Sequence, residues 1–545
     1  VFSVWRAIGF DIYAAAALNY AVMTFLGYAG LYLLARRFFE FRSSIATALA
    51  AFFVVLAPIN ISGLYSHVQM FSVWYVPSAI CLALYATRPG SKAKRWACLW
   101  LSACFFALLF FNAFYVPWFF ALYLMFFVAA FFILRVGQRL LGPEAGEGIK
   151  EDLSILWTWV RAFRWWIVSW VVVFSLFLVP FFAVYLPVLS DSRGHPYSLI
   201  LSSLPSWGNF FNFGDFSYLW GGIGLPAAAA SSAANLGYGF PLLTGLATLF
   251  LVVYSLFFYR GRGGGFRSTI VIRSIALSVV LAWLTMLRIG DFTLWRWVYE
   301  FVPAGSVIRV VFRLNAVLCI PVLILWGLGM ESVVRWLCRP SPYRWRVLKG
   351  VGVVAVASTL LIEQRFAERS PADEEWALRR SVLQAREELF ESPPASAEAF
   401  FVLPYRDSKT AWVVRSQLEA WSLAQKWDLK TLNGYSGIIP KGYRLLSVYS
   451  DNYTQRYLRE IKEWVYARGV DKSSLYYLDL ETAEWGTYSE LFPPEGLPQF
   501  GLGYAISFVE GGTPESREKA SAVLEYGWSG IEPTHVWSEA PEVGI

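Results

Sequence analysis

Charged residues are scarce in this sequence. Asp, Glu, Lys and Arg make up 16% of its 545 residues, whereas hydrophobic residues make up 57%. The mean hydropathy is +0.47. This balance excludes an ordinary soluble globular protein, in which about a quarter of the residues are charged. The formal net charge is +7, and we attribute it to short loops beside membrane helices rather than to a nucleic-acid partner.

Cysteines and nucleotide-binding motifs are also in short supply. The five cysteines lie in or beside apolar runs and have no metal-ligand spacing: Cys81, Cys98, Cys104, Cys319 and Cys338. We therefore expect neither a disulfide framework nor a zinc site. The sequence has no P-loop, no dinucleotide fingerprint and no HExxH motif. Without a soluble nucleotide site, a reaction at the outer face would need a donor that arrives in the membrane.

Long apolar runs are what the sequence has in abundance. A membrane-spanning helix needs about 20 apolar residues. About ten runs approach that length, so we predict an all-α polytopic membrane bundle. The predicted spans are 13–35, 45–63, 69–87, 96–112, 115–134, 166–188, 240–259, 269–287, 313–334 and 347–362.

Arginine and lysine gather in five clusters, each of which follows an odd-numbered predicted span. The clusters are Arg36/Arg37/Arg42, Arg88/Lys92/Lys94/Arg95, Arg135/Arg139/Lys150/Arg161/Arg164, Arg260/Arg262/Arg267 and Arg335/Arg339/Arg344/Arg346/Lys349. Basic residues concentrate in cytoplasmic loops. The pattern therefore predicts that Val1 and everything after about residue 363 lie outside the cytoplasm. Because an external N-terminus without a signal peptide requires an earlier span, we expect a fragment truncated at both ends.

One segment of the bundle has two interpretations. Residues 151–165 place Trp and Arg at helical spacing. The pattern fits an amphipathic helix lying on the inner membrane surface. It fits equally the beginning of the sixth span.

The sequence becomes polar after Glu363, and we divide the chain at that point. Residues 1–363 form the membrane domain, 364–499 an extracytoplasmic α/β domain, and 500–545 the start of a truncated β-rich module. Within the α/β domain, apolar runs predict strands at 398–405 and 474–480. Helical periodicity predicts helices at 412–427 and 452–470.

The predicted outer loops hold the candidate binding residues. His67, Asn112 and Tyr115 lie in two short loops, as polar groups at a depth where such groups need partners. The alternative for each is a capping or turn residue. Loop 189–239 is unusually long and contains Asp191, Arg193, His195, Asp215 and Tyr218 among aromatic residues. Such a loop suits a sugar or a lipid, and it suits equally a loop resting on the membrane surface.

Two arginines of loop 288–312 and its boundary break the positive-inside trend. Arg309 and Arg313 are four residues apart, a spacing that predicts one face of a helix leading into the ninth span. Two guanidinium groups on one face would hold a lipid-linked phosphate in a bidentate manner. The alternative is that they pair with Glu300 or with lipid headgroups.

Asn433 and Gly434, in the polar region after Glu363, have two interpretations. Their segment NGYSG suits a tight turn in which Tyr435 and Ser436 face a glycan. It suits equally a structural turn that joins the α/β domain to the membrane mouth.

Several segments together resemble a known family. They are SHVQMFSVWYVP (66–77), NAFY (112–115), PAGSVIRVVFRLNAV (303–317), TLNGYSGIIPKGY (431–443) and GWSGIEPTHVWSEAP (527–541). In residues and order they resemble the YfhO-like polytopic membrane proteins of bacteria, within the GT-C glycosyltransferase superfamily. The resemblance implies a protein of the bacterial inner membrane with its C-terminal domain extracytoplasmic.

The resemblance also implies an enzyme. Such proteins transfer a sugar from a polyprenyl-phosphate donor to a glycan or lipid acceptor at the outer face, without a nucleotide. The superfamily places an acidic base in the first outer loop, where some members also hold a divalent metal such as Mg²⁺ or Mn²⁺. Most of that loop would precede Val1, which leaves Asp11 as the only candidate base, although a helix-capping role suits it better. We therefore expect this fragment alone to be inactive.

Two other functional classes remain open. A transporter or flippase for lipid-linked saccharides would show polar residues through its spans and Gly/Pro-broken helices in symmetric halves. The predicted spans have no such halves, and their interiors are nearly free of charge apart from Arg273. A non-catalytic assembly protein of the cell envelope would use the outer domain to bind partners.

Overall fold

The molecule consists of two compact units. The structure, a computed structural model, describes residues 2–10, 12–59, 68–140, 148–191, 194–206, 242–261, 265–363, 390–403, 411–434, 443, 445, 453–492, 528–532 and 535–538. The first unit comprises Val1–Pro187 and His195–Ser370, and the second comprises Val188–Gly194 and Pro371–Ile545. Within the described residues the first unit is almost entirely helical, whereas the second contains a parallel sheet.

The first unit is a bundle of apolar helices. Its helices are α1 (Phe2–Ala7), α2 (Ile12–Leu33), α3 (Ser43–Ile59), α4 (Tyr75–Thr87), α5 (Lys92–Asn112), α6 (Tyr115–Leu140), α7 (Gly148–Asp191), α8 (Tyr197–Ser202), α9 (Leu242–Phe257), α10 (Thr269–Met286), α11 (Trp295–Phe301), α12 (Leu314–Leu337) and α13 (Tyr343–Glu363). A π-helical turn (Leu34–Phe38) extends α2, and a 3₁₀ helix (Val68–Trp74) leads into α4.

Seven helical stretches are long and apolar enough to cross a membrane, judged by length and composition over the described residues. They are Ala14–Phe38, Met70–Thr87, Lys92–Asn112, Tyr115–Gln138, Arg164–Pro187, Thr269–Met286 and Val311–Leu337. Each overlaps one of the ten predicted spans, and together they make the chain a multi-pass membrane protein.

The three remaining predicted spans lie on weaker candidates. Predicted spans 45–63 and 240–259 overlap the shorter apolar helices Ser43–Val54 and Leu243–Phe257. Predicted span 347–362 lies on α13, which has 21 residues but is not among the seven. Its first turns carry Arg344, Arg346 and Lys349. The number of ten spans therefore stays a prediction.

Helix α7 decides between the two interpretations of residues 151–165. It is continuous over 44 residues, so this segment begins the helix of the sixth span and is not a separate surface helix. Aromatic contacts join α7 to α5: the rings of Trp96 and Trp166 stack with centroids 4.2 Å apart. Beside them, the Trp100 indole N–H donates to the Ser169 hydroxyl at 2.9 Å.

Helix α12 forms the centre of the bundle. It packs against α3, α6, α9 and α10, and every residue from Leu314 to Leu325 is buried. A helix that is apolar on all sides is expected to be buried in this way.

Gly30 allows α2 and α4 to approach closely, because a Cβ atom there would lie 2.4 Å from the backbone nitrogen of Ser78. The Ser78 hydroxyl donates across the same crossing to the Leu26 carbonyl at 2.6 Å.

Three of the predicted basic clusters meet at one end of the bundle. The Arg88 guanidinium donates to the Arg37 carbonyl and lies 4.3 Å from the ring centroid of Phe38. Phe38 in turn packs on Phe266, next to Arg267, which forms an ion pair with Glu331. We call this the basic end. The opposite end, formed by residues 112–118, 195–206 and 287–313, we call the loop end.

The second unit is built on a four-stranded sheet. Its elements are β3 (Ala399–Leu403), α14 (Ala411–Trp427), β4 (Lys430–Thr431), α15 (Tyr453–Arg468), β5 (Leu475–Asp479), β6 (Trp485–Thr487) and α16 (Tyr488–Leu491). The strands β1 (Arg288–Ile289) and β2 (Phe292–Thr293) belong to the first unit, where they form a short hairpin. The strand order is β4-β3-β5-β6. Strand β3 runs parallel to β4 and β5, and β6 is antiparallel to β5.

The elements predicted for this α/β unit are confirmed, but β4, β6 and α16 were not predicted. Both predicted strands and both predicted helices are present within two residues of their predicted ends. Strand β4 was missed because it has only two residues, too few to give an alternating pattern. Further on, strands β7 (Trp528–Glu532) and β8 (His535–Ser538) pair as an antiparallel hairpin. The larger β-rich module predicted for 500–545 stays a prediction.

Candidate anion-binding site

Hydrogen bonds join two separate segments at the loop end. The backbone N–H of His195 donates to the Ser306 carbonyl at 2.8 Å. The Tyr299 hydroxyl donates to the His195 carbonyl at 3.1 Å, and the Ser203 hydroxyl donates to the Arg309 carbonyl at 2.5 Å. Since these bonds use backbone groups of both segments, they fix the path of the chain on both sides of His195 and at Arg309.

A tight turn carries the chain from α11 to this site. Ala304 adopts a left-handed conformation with φ of +61°. The following residue, Gly305, is buried against α11, where an added Cβ atom would lie 2.3 Å from the Val298 carbonyl oxygen. No side chain fits in that space, so glycine is required for Ser306 and Arg309 to reach their positions.

Tyr115 brings the two predicted arginines together. The backbone N–H of Arg309 donates to the Tyr115 hydroxyl at 3.4 Å. The guanidinium carbon of Arg313 lies 5.1 Å from the centroid of the Tyr115 ring, in a cation–π contact. Arg313 is buried, with 4% of its surface exposed. Three of the residues chosen from the sequence therefore lie in one cluster.

The local structure around the arginines differs from the predicted helix face. Ile308 and Val310 have extended or irregular backbone angles, a 3₁₀ turn covers Val311–Arg313, and α12 begins at Leu314. The prediction that both arginines share one face of a helix was therefore wrong. Branched side chains at 307, 308, 310 and 311 favour extended backbone and delay the start of the helix. Arg309 lies in the extended segment before the 3₁₀ turn, and Arg313 occupies the N-terminal boundary of α12.

This placement makes the site electropositive. The N-terminus of a helix carries a partial positive charge, which favours anions and disfavours cations. Arg313 occupies that position in α12, and the first turn of α12 contains no acidic residue. A guanidinium group beside a helix N-terminus is an arrangement suited to a phosphate or carboxylate group.

The imidazole of His195 lies within range of the positive charge of Arg309. Burial lowers the pKa of His195 to about 4, and the positive charge of Arg309 contributes to that shift. His195 is therefore neutral at neutral pH, with one ring nitrogen as a donor and the other as an acceptor. His195 is therefore a functional candidate. The sequence alone did not distinguish it from the other polar residues of loop 189–239.

Other predicted residues have different surroundings. The Asn112 amide donates to the Leu108 carbonyl of its own helix at 2.7 Å, which fits the alternative of a helix-end residue. Glu300 forms an ion pair with Arg296 at 2.9 Å. Asp11, His67, Asp215 and Tyr218 lie outside the described residues, so their roles stay predictions.

Asn433 has a structural role in the second unit. Its side-chain oxygen accepts a hydrogen bond from the Val402 N–H at 2.9 Å. Its amide group donates to Gln417 at 3.1 Å and to the Tyr457 hydroxyl at 2.7 Å. Because β4 ends at Thr431 and no longer pairs with Val402, the Asn433 side chain replaces the missing strand. Tyr435 and Ser436 lie outside the described residues.

The described residues offer no evident metal centre. No group of three or more His, Cys, Asp or Glu side chains among them is arranged to hold a metal ion. The Mg²⁺ or Mn²⁺ that the resemblance implies therefore stays a prediction. Comparison of the sequence with known protein families and with curated proteins gives no match. The geometry of the loop end is thus the basis for a functional assignment.

Proposed function

We propose that this chain belongs to a membrane glycosyltransferase of the GT-C type. It would transfer a sugar from a polyprenyl-phosphate donor to an extracytoplasmic glycan or lipid acceptor, in the inner membrane of a bacterium. The loop end and the second unit would both lie on the extracytoplasmic side. The observation that supports this proposal is that Tyr115 contacts the backbone of Arg309 and the guanidinium of Arg313 at the N-terminus of α12.

The proposed chemistry needs a site for a departing phosphate. When the bond between sugar and phosphate breaks, negative charge grows on the lipid phosphate, and fixed positive groups lower the energy of that state. Arg309, Arg313 and the α12 N-terminus would supply this charge. The neutral imidazole of His195 would add a hydrogen bond to a phosphate oxygen. We assign no catalytic base among the described residues.

A binding measurement tests the phosphate site without requiring turnover. The protein is placed in lipid nanodiscs and titrated with a fluorescent short-chain polyprenyl phosphate. For Arg309→Gln and Arg313→Lys we expect about 10- to 100-fold weaker binding, which corresponds to about 1.5–3 kcal/mol for a charge-assisted contact. Arg296→Gln is the matched control, because Arg296 lies on the exposed side of α11 and pairs with Glu300.

The outcome separates the candidate functions. Equal affinities for the wild type and all three variants would remove the phosphate role of the two arginines. With the full-length protein, radiolabelled polyprenyl-phosphate sugar should yield a labelled acceptor. Movement of the intact carrier across vesicles without transfer would instead indicate a flippase.

A further inference from the structure

The loop end carries a row of exposed apolar side chains outside the seven candidate spans. Its members are Ile289, Phe292, Leu294, Trp297 and Phe301, and each has between 39% and 69% of its surface exposed. Ile289 and Phe292 belong to the β1–β2 hairpin, Trp297 and Phe301 belong to α11, and Leu294 joins the two elements. We call this row the loop-end ridge. Large apolar side chains grouped on one exposed surface usually mark a contact with lipid or protein.

The position of the ridge along the chain places it next to the membrane surface. The candidate span α10 ends at Met286, three residues before Ile289, and the next candidate span begins at Val311. An extended chain covers at most about 3.5 Å per residue, so Ile289 lies within about 10 Å of the end of α10. The polar interface of a bilayer extends about 5–8 Å beyond each side of its hydrocarbon core. The ridge therefore begins at the level of that interface.

The opposite face of α11 is fixed to the bundle. Trp295 is fully buried and lies with its ring centroid 6.0 Å from that of Trp118. The Trp118 indole N–H donates to the Pro303 carbonyl at 2.9 Å, just after α11. Because one face is held in this way, α11 presents Trp297 and Phe301 outward, where their rings stack 5.4 Å apart.

Polar residues border the ridge on α11. Arg296 and Glu300 form an exposed ion pair, one residue before Trp297 and Phe301 respectively. A short helix with aromatic residues on one side and charges on the next has the pattern of an interfacial helix, which lies flat with its apolar side in lipid. Tryptophan prefers this depth, because its ring is apolar and its N–H is polar.

We propose that the loop-end ridge inserts into the adjacent lipid leaflet and that α11 lies flat in the membrane interface. The occupant of this surface is the acyl-chain boundary of the bilayer, not a protein partner. Since Tyr299 of α11 bonds to the His195 backbone, this insertion holds the Arg309 site at the level of the lipid headgroups. The proposal does not depend on the glycosyltransferase activity.

Spin labels on α11 test the insertion. Single cysteines replace Trp297 or Phe301 on the ridge, and Arg296 or Glu300 beside it serve as matched controls. Cys98, Cys104 and Cys338, the native cysteines that are not fully buried, are replaced by serine first. The protein is reconstituted into vesicles of phosphatidylethanolamine and phosphatidylglycerol. Collisions of each label are measured with oxygen, which concentrates in lipid, and with a water-soluble nickel complex.

Each outcome bears directly on the proposal. We expect labels at 297 and 301 to favour oxygen over nickel several-fold more than labels at 296 and 300. Equal nickel accessibility at all four positions would overturn the insertion. Labels at 297 and 301 that are immobile and shielded from both reagents would also overturn it, because they would indicate a protein partner. The difference in accessibility between the ridge labels and the control labels is expected whether or not the protein binds polyprenyl phosphate. The two proposals therefore fail independently.

Discussion

Basic residues lie at both ends of the membrane bundle, but they meet opposite ends of its helices. At the basic end, the Arg95 side chain donates to the Ala86 carbonyl in the last turn of α4. Lys349 donates similarly to the Trp336 carbonyl in the last turn of α12. Cations at helix C-termini satisfy carbonyl groups and offset the negative pole of the helix. These residues stabilise the fold without any ligand.

The loop end has the reverse arrangement. Helix α12 shows the contrast within one element, with Arg335 in its last turn and Arg313 at its N-terminal boundary. A cation at the positive pole of a helix is unfavourable by about 0.3–1 kcal/mol. An anion bound between Arg313 and the N-terminus of α12 would offset this cost. Arginine therefore stabilises a helix C-terminus at the basic end, whereas at the loop end it lies where a bound anion would be favoured.

The largest effect on stability is expected at the basic end. Arg267→Gln breaks the ion pair with Glu331, which is 14% exposed, and leaves a largely buried carboxylate without its cation. We expect a loss of about 3 kcal/mol in the free energy of unfolding, measured by denaturant titration in mixed micelles. Arg296→Gln removes an exposed pair and should cost less than about 0.5 kcal/mol.

The double variant Arg267→Gln with Glu331→Gln completes this test. Removing both charges should recover a large part of the loss, because the buried carboxylate is then neutral. If Arg267→Gln costs no more than Arg296→Gln, the basic end is not held by this pair. The basic end would then not be shown to be stable without a ligand, and its contrast with the proposed anion site at the loop end would be weakened.

Ligand-dependent stabilisation should be confined to the loop end. A soluble prenyl phosphate at 100 times its dissociation constant stabilises a protein that binds it by about 2.7 kcal/mol. We expect this gain for the wild type and for Arg335→Gln, measured as a rise in the unfolding midpoint. Arg313→Lys should lose most of it, since lysine cannot form the bidentate contact. Equal gains for both variants would show that the ligand does not distinguish the two ends of α12.

The sequence predicted elements better than their junctions. Apolar run length found the seven long spans, and periodicity found β3, β5, α14 and α15, because burial imposes these patterns locally. The break between Arg309 and Leu314 was not predicted, since it depends on four branched residues and on contacts with Tyr115. Spacing alone described a helix there.

The composition of the site could be predicted only in part. Arg309 and Arg313 stood out because they break a charge trend that belongs to the whole chain. His195, Ser203 and Ser306 join the site through hydrogen bonds between segments about a hundred residues apart. No local pattern contains such contacts, and a histidine in a long polar loop gives no sign that it is partly buried near an arginine.

Acid should destabilise the loop end through His195. Above pH 6.5 the imidazole is neutral in both folded and unfolded chains, so it contributes no pH dependence. Between pH 6.5 and 4 the unfolded chain takes up a proton, whereas in the folded chain the pKa of His195 is only about 4. Stability is therefore lost as pH falls through this window, by about 2 kcal/mol after allowance for partial solvent exposure.

The matched variant for this effect is His195→Gln. Carboxylates elsewhere titrate in the same range, so the informative quantity is the difference between wild type and variant at each pH. The chain has only three histidines, which keeps this difference simple. Parallel stability curves from pH 7 to 4 would contradict a partly buried, neutral imidazole near Arg309.

The smallest expected difference compares two cation–π contacts of nearly equal length. Arg313 lies 5.1 Å from the Tyr115 ring centroid at the loop end, and Lys349 lies 5.0 Å from the Trp336 ring at the basic end. Arg313 is buried, whereas Trp336 is 43% exposed. Such contacts contribute about 0.5–1 kcal/mol in water and about 2 kcal/mol when desolvated. Tyr115→Leu should therefore cost about 1 kcal/mol more than Trp336→Leu.

Tyr115→Phe separates the ring from the hydroxyl. It keeps the aromatic face under Arg313 and removes only the acceptor for the Arg309 N–H, a long bond of 3.4 Å. We expect a loss below about 0.5 kcal/mol, because weak geometry reduces the contribution of a hydrogen bond. If Tyr115→Phe were as damaging as Tyr115→Leu, the hydroxyl and not the ring would hold the arginines. Since the distances at the two ends are nearly the same, any difference that remains between the Leu variants measures how far the loop end excludes water.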